Sequence, residues 1–555
     1  MKKFSYIFII LYIFTNLNSQ TTFNKKIWPM KFIDLAGPLM VKNDTIFCIG
    51  SGTDSFSYHN YFQYLAKYDL EGNFISITKD SMGFYFYNYM RDAYWEGDSI
   101  ITYVNNAAIS EDDIRKYSDT AGTYFVIINS NTGKFVEKKK INFFGKDRIP
   151  FAFGVAKIDS VNYALLTHLT GPYNNDKGNI VVSIINFKTG RYKNIELHRD
   201  SIWDDCEVIK WNGEKLLVGS YERVYYWNDT IYESEVTHRG LLYEVDTSGT
   251  WRKIVITDTD RSRIASMIVT DEGNYIITFL KIIYYYKEPK FSWQKPERKS
   301  RYRLMAMKLD KDFNLLWEKP WGFNFDFDLY FMGWSEILKA EEGDGYILSG
   351  YTLNYPWTDR GYLTQAQEDS MKKAGVIPGT VGILENISEN GDSIWMHSYS
   401  YVRDTAVFLA DHYLHDVQYA PDGGYILYGW IDHSPRPGID TTMQYPGWLV
   451  KVDKDGCLIP GCGDTTDTTG LVDIIKDTGV KLYPNPASEN LYIYQNTGKD
   501  TQYTISDISG RQINRWRGKL SGHTFIVDVS YYKPGIYILT IEREDVIGSR
   551  KFVVE

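Results

Sequence analysis

The sequence predicts an all-β chain: a seven-bladed β-propeller followed by a small C-terminal antiparallel β-sandwich. Three observations carry that prediction. A two-part unit recurs along most of the 555 residues, its turns are built from Gly, Asp and Asn, and its apolar residues come in short strand-like runs instead of helical periods. The clearest copy opens with Pro421-Asp422-Gly423-Gly424-Tyr425-Ile426-Leu427-Tyr428-Gly429-Trp430, a polar turn feeding a buried strand. It closes with Trp448-Leu449-Val450-Lys451-Val452-Asp453-Lys454-Asp455-Gly456, an alternating strand that runs into a second turn.

Taken in order, residues 1–19 read as a signal peptide. Lys2 and Lys3 precede the apolar run Phe4 to Phe14, and Leu17-Asn18-Ser19 offers a small-residue cleavage site. The run is too short to span a bilayer, no Cys follows it to take a lipid anchor, and no later apolar run is long enough to cross a membrane.

Residues 20–463 are assigned to the propeller. The first half of the unit begins at Asp44, Asp98, Asn162, Gly213, Gly273, Asp344 and Pro421, and the second at Tyr64, Val126, Val182, Leu242, Met305, Ile383 and Trp448, seven of each and interleaved. A period of about 60 residues holding four short strands is what one propeller blade requires. The segment before each first half, such as His415-Asp416-Val417-Gln418-Tyr419, is then the innermost strand, and Thr21 to about Val41 share in closing the ring.

The composition narrows the function classes. A net charge of −9 with no basic domain leaves nucleic acid without its electrostatic footprint. Aromatics make up 16% of the chain, with 45 Tyr and 15 Trp, which suits half-buried strand faces and exposed contact surfaces. Four cysteines are too few to staple an exported chain of this size. Cys457 and Cys462 are spaced for a local bridge, with two free thiols as the alternative; without His or Cys partners they fall short of a zinc site. Asp310-Lys311-Asp312-Phe313-Asn314 begins like a calcium loop, but Leu315 replaces the required Gly and Trp321 the bidentate Glu, so it reads as a hairpin turn. Neither a metal nor a cofactor is expected.

Residues 464–479, beginning Asp464-Thr-Thr-Asp-Thr-Thr-Gly470, form a polar linker. Beyond it, residues 480–555 hold short alternating strands broken by Gly and Pro turns, the pattern of a small antiparallel sandwich. Tyr483-Pro484-Asn485-Pro486, then Asp507 with Gly510-Arg511, then Pro534-Gly535-Ile536-Tyr537, then the basic-apolar terminus Lys551-Phe552-Val553-Val554-Glu555 occur in that order. Together they resemble the type A C-terminal sorting domain of type IX secretion system cargo. The resemblance implies a Gram-negative cell, passage across the outer membrane, and the type IX secretion machinery as partner. It further implies a protein released or held at the cell surface. The repeats resemble those of secreted propeller proteins more loosely, and that likeness brings no activity with it.

Catalytic signatures are sparse. The sequence holds no Gly-x-Ser-x-Gly, His-Glu-x-x-His or phosphate loop. Asp246-Thr247-Ser248-Gly249 misses the sialidase Asp-box spacing by one residue, and the adjacent Cys pair of quinoprotein propellers is missing. His412, His415 and Asp416 make the best ligand-like cluster, and Asp92, Asp205, Glu207 and Glu336 precede other blades, so a central funnel ringed by carboxylates is expected. The bland reading is that these groups meet water or one another.

Long insertions fall between the second and third strands of blades four to seven, over 221–239, 281–303, 353–380 and 432–446, and equivalent connections leave a propeller on one face. They carry Tyr225, Tyr226, Trp227, Phe291, Trp293, Tyr355, Trp357 and Tyr445, beside the basic stretch Lys287 to Arg303. Exposed aromatics next to cations suit stacking on sugars, peptides or anionic polymers. Aromatics that only keep long loops ordered are the competing explanation. The leading expectation is a noncatalytic surface propeller binding a glycan or protein through this aromatic face and through His415 and Asp416. An enzyme using funnel carboxylates or His415 is the rival, and a structural surface component the third.

Overall fold

Each repeat folds as an antiparallel meander in which the middle of the two central strands is largely apolar, which buries it on both faces. In the computed structural model the described residues are 21–30, 33–53, 62–80, 90–106, 122–141, 149–170, 179–197, 204–228, 233–256, 261–287, 297–322, 336–340, 343, 345–353, 380–401, 410–433, 445–458, 480–507, 511–542 and 547–555. Seven four-stranded sheets follow one another, which are the seven predicted blades. They span residues 33–79, 94–141, 149–197, 204–255, 261–320, 336–399 and 410–452. Strands are lettered a to d in each blade from the axis outwards, and the a strands of blades 3 to 7 touch in succession, with that of blade 7 touching that of blade 1.

The last blade lacks a fourth strand of its own, and Phe23–Ile27 supplies it by pairing antiparallel with Gly447–Val452. The closure is bolted by polar contacts that sequence periodicity does not show. Trp448 Nε1 donates to Asn24 Oδ1 at 2.7 Å. The wholly buried Lys451 ammonium donates to Asp422 Oδ2 at 2.7 Å, Thr21 Oγ1 at 3.0 Å and Leu70 O at 3.1 Å, using all three protons. Ring integrity follows from the cores as well. Leu39, Cys48 and Tyr64 of the first blade share one cluster with Tyr428 and Leu449 of the last, and Leu384 and Tyr399 of blade 6 share another with Leu414 and Trp448.

The innermost strands carry a recurring irregularity. Register shifts at Ala36/Leu39, Ala152/Gly154, Cys206/Val208, Ile264/Ser266 and Leu414/Asp416 place a bulge in the a strands of blades 1, 3, 4, 5 and 7. A bulge inserts an extra residue, bends the strand and re-aims side chains. Two of the extra residues are Glu207 and His415. The chain around the last bulge is so close that a Cβ on Gly429 would lie 1.8 Å from the Tyr413 carbonyl oxygen. Gly429→Ala is therefore expected to lower stability by more than about 2 kcal/mol, read as a lower urea midpoint at unchanged m-value.

The C-terminal strands Val480–Tyr483, Asn490–Asp507, Gln512–Asp528, Gly535–Glu542 and Ile547–Val554 form one five-stranded sheet. Irregular pairing around Asn496 and Asp500 divides the long strand, and residues of both its halves, Leu491 and Ile493 with Tyr503 and Ile505, enter one buried core. The predicted sandwich is thus a single sheet folded over itself.

Candidate functional site

The axis of the propeller is crossed by charged side chains from the ends of the a strands. Arg91, just ahead of Tyr94–Glu96, donates through Nη1 to Glu207 O at 2.6 Å and Ala265 O at 3.0 Å, and through Nη2 to Glu207 Oε2 at 2.9 Å. Arg263 donates to the other oxygen, Oε1, so Glu207 is held by two guanidinium groups. Beside it, Lys210 Nζ donates to Asp92 Oδ1 at 2.9 Å and lies 3.8 Å from Glu336 Oε1. Asp92 Oδ2 also accepts from Val155 N at 3.4 Å. Asp416 accepts at 2.7 Å from Leu39 N through Oδ2 and at 2.7 Å from Val417 N through Oδ1. Groups from all seven blades meet there.

The carboxylates Asp92, Glu207 and Glu336 converge at the axis on Arg91, Lys210 and Arg263, which the expected acidic funnel did not include, whereas Asp416 is held by backbone N–H groups; the side chain of Asp205 lies outside the described residues. The result is an ion-pair network joining blades, not a ring of like charges. Burial opposes the charged form of Lys210, yet Asp92 and Glu336 hold its pKa well above the usual lysine value. Burial raises the Glu336 carboxyl above the usual range against the pull of Lys210. Burial, then repulsion from Glu336, raises Asp416 well above it.

The two histidines have committed ring nitrogens. His412 Nε2 accepts from Tyr401 N at 3.0 Å, which assigns the proton to Nδ1, 3.2 Å from Thr380 O. His415 Nε2 accepts from Trp430 Nε1 at 2.6 Å, so this ring too carries its proton on Nδ1. Burial, and then Arg91, pushes the His415 pKa down to about 3. The second proton is therefore absent from the folded-state ring between about pH 3 and about 6.5, where the unfolded chain takes one up. The sign follows: His415 withdraws stability as pH falls from about 6.5 towards 3. His415→Gln keeps an acceptor for Trp430, and its stability is expected to fall less than that of the parent between pH 6.5 and 4, measured by urea unfolding at each pH.

Trp430 links the axis to the outer surface. It stacks on Tyr413 with centroids 4.3 Å apart and planes at 22°, meets Tyr445 edge-on at 5.6 Å, and Tyr413 meets Tyr351 edge-on at 4.7 Å. These four sit where strands b of blades 6 and 7 end and where strands a and c of blade 7 begin, so the ladder lies at the face from which the b-to-c connections leave. Tyr351 and Tyr413 are buried, whereas Trp430 and Tyr445 are half-buried. Ring-stacking chemistry is thereby gathered at one end of the ring.

Of the aromatics expected on the insertions, Tyr445 belongs to this ladder. Tyr225, Tyr226 and Trp227 are not in a loop: strands Leu216–Asn228 and Glu233–Val245 continue as one paired hairpin, placing these three opposite Val236, Glu235 and Ser234. Blade 5 does the same with Tyr275–Lys287 and Glu297–Leu309. A consecutive run of residues with strong β-propensity, Ile282 to Tyr286, extends the ladder past the blade. Phe291, Trp293, Tyr355 and Trp357 lie outside the described residues. Cys457 is disulfide-bonded, Cys48 and Cys206 are buried and outside any disulfide, and Cys462 lies outside the described residues. Among the described residues no group of three His, Cys, Asp or Glu is placed to hold a metal ion, and no helix is long and apolar enough to cross a membrane.

Comparison with known proteins bears on the C-terminal part. Residues 481–555 match the family described as secretion system C-terminal sorting domain. That domain marks the chain for export across the outer membrane, to the cell surface or the extracellular space, and makes the secretion machinery its partner. No curated protein matches the sequence. Among solved structures the chain is similar to the polysaccharide lyase Uly1, at 11% identity over 79% of this chain and 93% of that one, with a TM-score of 0.41. It is also similar to Drosophila semaphorin 2a, at 8% identity over 96% and 97%, with a TM-score of 0.43. A protein of unknown function from Dyadobacter fermentans follows at 10% identity over 59% and 92%, with a TM-score of 0.36. Likeness at this level speaks to no activity, and the blades are read from strand pairing.

Proposed function

We propose that this is an exported, noncatalytic propeller that binds a glycan or a protein outside the cell through the face bearing its b-to-c connections. The observation that carries the reading is the aromatic ladder, which runs from buried Tyr351 and Tyr413 to half-buried Trp430 and Tyr445 on that face. A rigid, pre-stacked ring loses little conformational freedom when a sugar or peptide lies against it. The paired hairpins of blades 4 and 5 extend at the same face by topology. At the axis, Glu207 is engaged by two arginines and His415 by Trp430, so catalysis there would first have to break ion pairs and hydrogen bonds. That weighs against the enzyme reading, in which the carboxylates and His415 would transfer protons.

A glycan and surface-protein binding screen with the purified chain tests the proposal. With a ligand in hand, replacing Trp293 and Trp357 by Ala, and separately Tyr445 by Ala, is expected to weaken binding while Tm stays nearly constant. Each stacking contact is worth about 0.5–1.5 kcal/mol beyond burial, so losing two weakens binding about tenfold or more. Loss of several kcal/mol of stability at unaltered affinity would assign those rings to loop packing instead.

A further inference from the structure

Among the described residues, the sheet of the sorting region has a buried core on one side. In strand Gly535–Glu542, Tyr537, Leu539 and Ile541 point into the core with Phe552 and Val554 of the last strand, while the alternate residues face outwards. Ile536 and Ile538 are 39% and 36% exposed there, paired with Val553 and the exposed Lys551. Across the same outward face, Thr540 and Ile538 adjoin Thr504 and Ser506, and Thr504 and Gln502 in turn adjoin the exposed Arg515 and Arg517. Half of the face is thus the polar surface a solvated sheet presents. The other half is a branched aliphatic corner beside cations.

The outer rim of the last strand is already occupied towards its end. Asn485 Oδ1 accepts from Val553 N at 2.7 Å, Ala487 N donates to Val553 O at 2.8 Å, and Glu555 N donates to Ala487 O at 3.0 Å. The Tyr-Pro-Asn-Pro motif therefore seals the edge where a partner strand would otherwise add, and what remains open at that end is the face. The region as a whole leans basic. Residues 481–555 hold 10 Lys and Arg against 8 Asp and Glu, in a chain whose net charge is −9.

We propose that this outward face, centred on Ile536, Ile538 and Lys551 with Arg515 and Arg517 beside them, is the surface by which the sorting region docks on the export machinery. The receptor it fits is an apolar patch with an acidic rim. Hydrophobic contact holds the two isoleucines, and the cations set orientation and reject basic surfaces.

The test expresses the full chain in a bacterium carrying this secretion system. Variants are the double substitution Ile536→Thr with Ile538→Thr, and separately Lys551→Glu. Thr keeps the β-propensity of both exposed positions, so the purified double variant is expected to melt within a few degrees of the parent. Delivery to the outside is expected to drop at least tenfold in both variants, with the chain accumulating in the periplasm. Normal delivery of both overturns the proposal. If the double variant folds poorly, a folded Lys551→Glu chain that is delivered normally overturns it equally, and one that is retained supports it.

Discussion

Replacing Glu207 with Gln is expected to lower the stability of the propeller by about 3–5 kcal/mol, because it leaves two guanidinium groups at the axis facing a neutral amide. Arg91 reaches Glu207 from blade 2 and Arg263 from blade 5, and both are largely removed from solvent. Gln can accept from one of them through its oxygen, but its NH2 meets the other donor head-on. The measurement is the urea midpoint. Adding Arg263→Met to Glu207→Gln removes one orphaned charge and is expected to restore part of the loss, the interaction energy of a double-mutant cycle. An unchanged midpoint in the single variant would mean that water, not Glu207, balances the arginines.

Blade number and strand order could be read from the sequence because they are set by local patterning. A turn such as Asp344-Gly345 followed by a continuous apolar run specifies a central strand wherever it occurs, and seven copies specify seven blades. The axis was only half legible. Acidic residues ahead of the apolar strands stand out as anomalies, so Asp92, Glu207, Glu336 and Asp416 were found. Their partners did not stand out, since Arg91, Lys210 and Arg263 look like ordinary surface residues until strand bulges and ring closure bring them together from distant repeats. A one-residue break in alternation, as at Cys206-Glu207-Val208 and Leu414-His415-Asp416, was the available signal.

The aromatic ladder went unseen for a related reason. Trp430, Tyr413 and Tyr351 occupy positions that core residues fill in other blades, and only packing shows that they are stacked towards one face. Conversely, the length of the insertion holding Tyr225, Tyr226 and Trp227 reports that chain leaves the blade and not that it keeps pairing. In each case the missing information is long-range: register and ring closure, which no local window contains.

A chain ending after Val480 is expected to fold its propeller and to fail to leave the periplasm. The described contacts that close the ring lie between Thr21 and Leu458: the strand Phe23–Ile27, the Lys451 cluster and the axial ion pairs. The sorting region has its own buried core, from Val480 to Val554, so removing it withdraws no side chain from the cores that join the blades. The truncated propeller should therefore melt with a transition close to that of the same domain in the full chain, while protease added to intact cells, which digests the delivered protein, leaves the truncated one untouched. Full chain in the surface or medium fraction and truncated chain in the periplasmic fraction is the expected split, a change from delivery to none. Surface delivery of the truncated chain would show that residues 481–555 are not its export signal, and loss of the melting transition would show that the propeller needs them to fold.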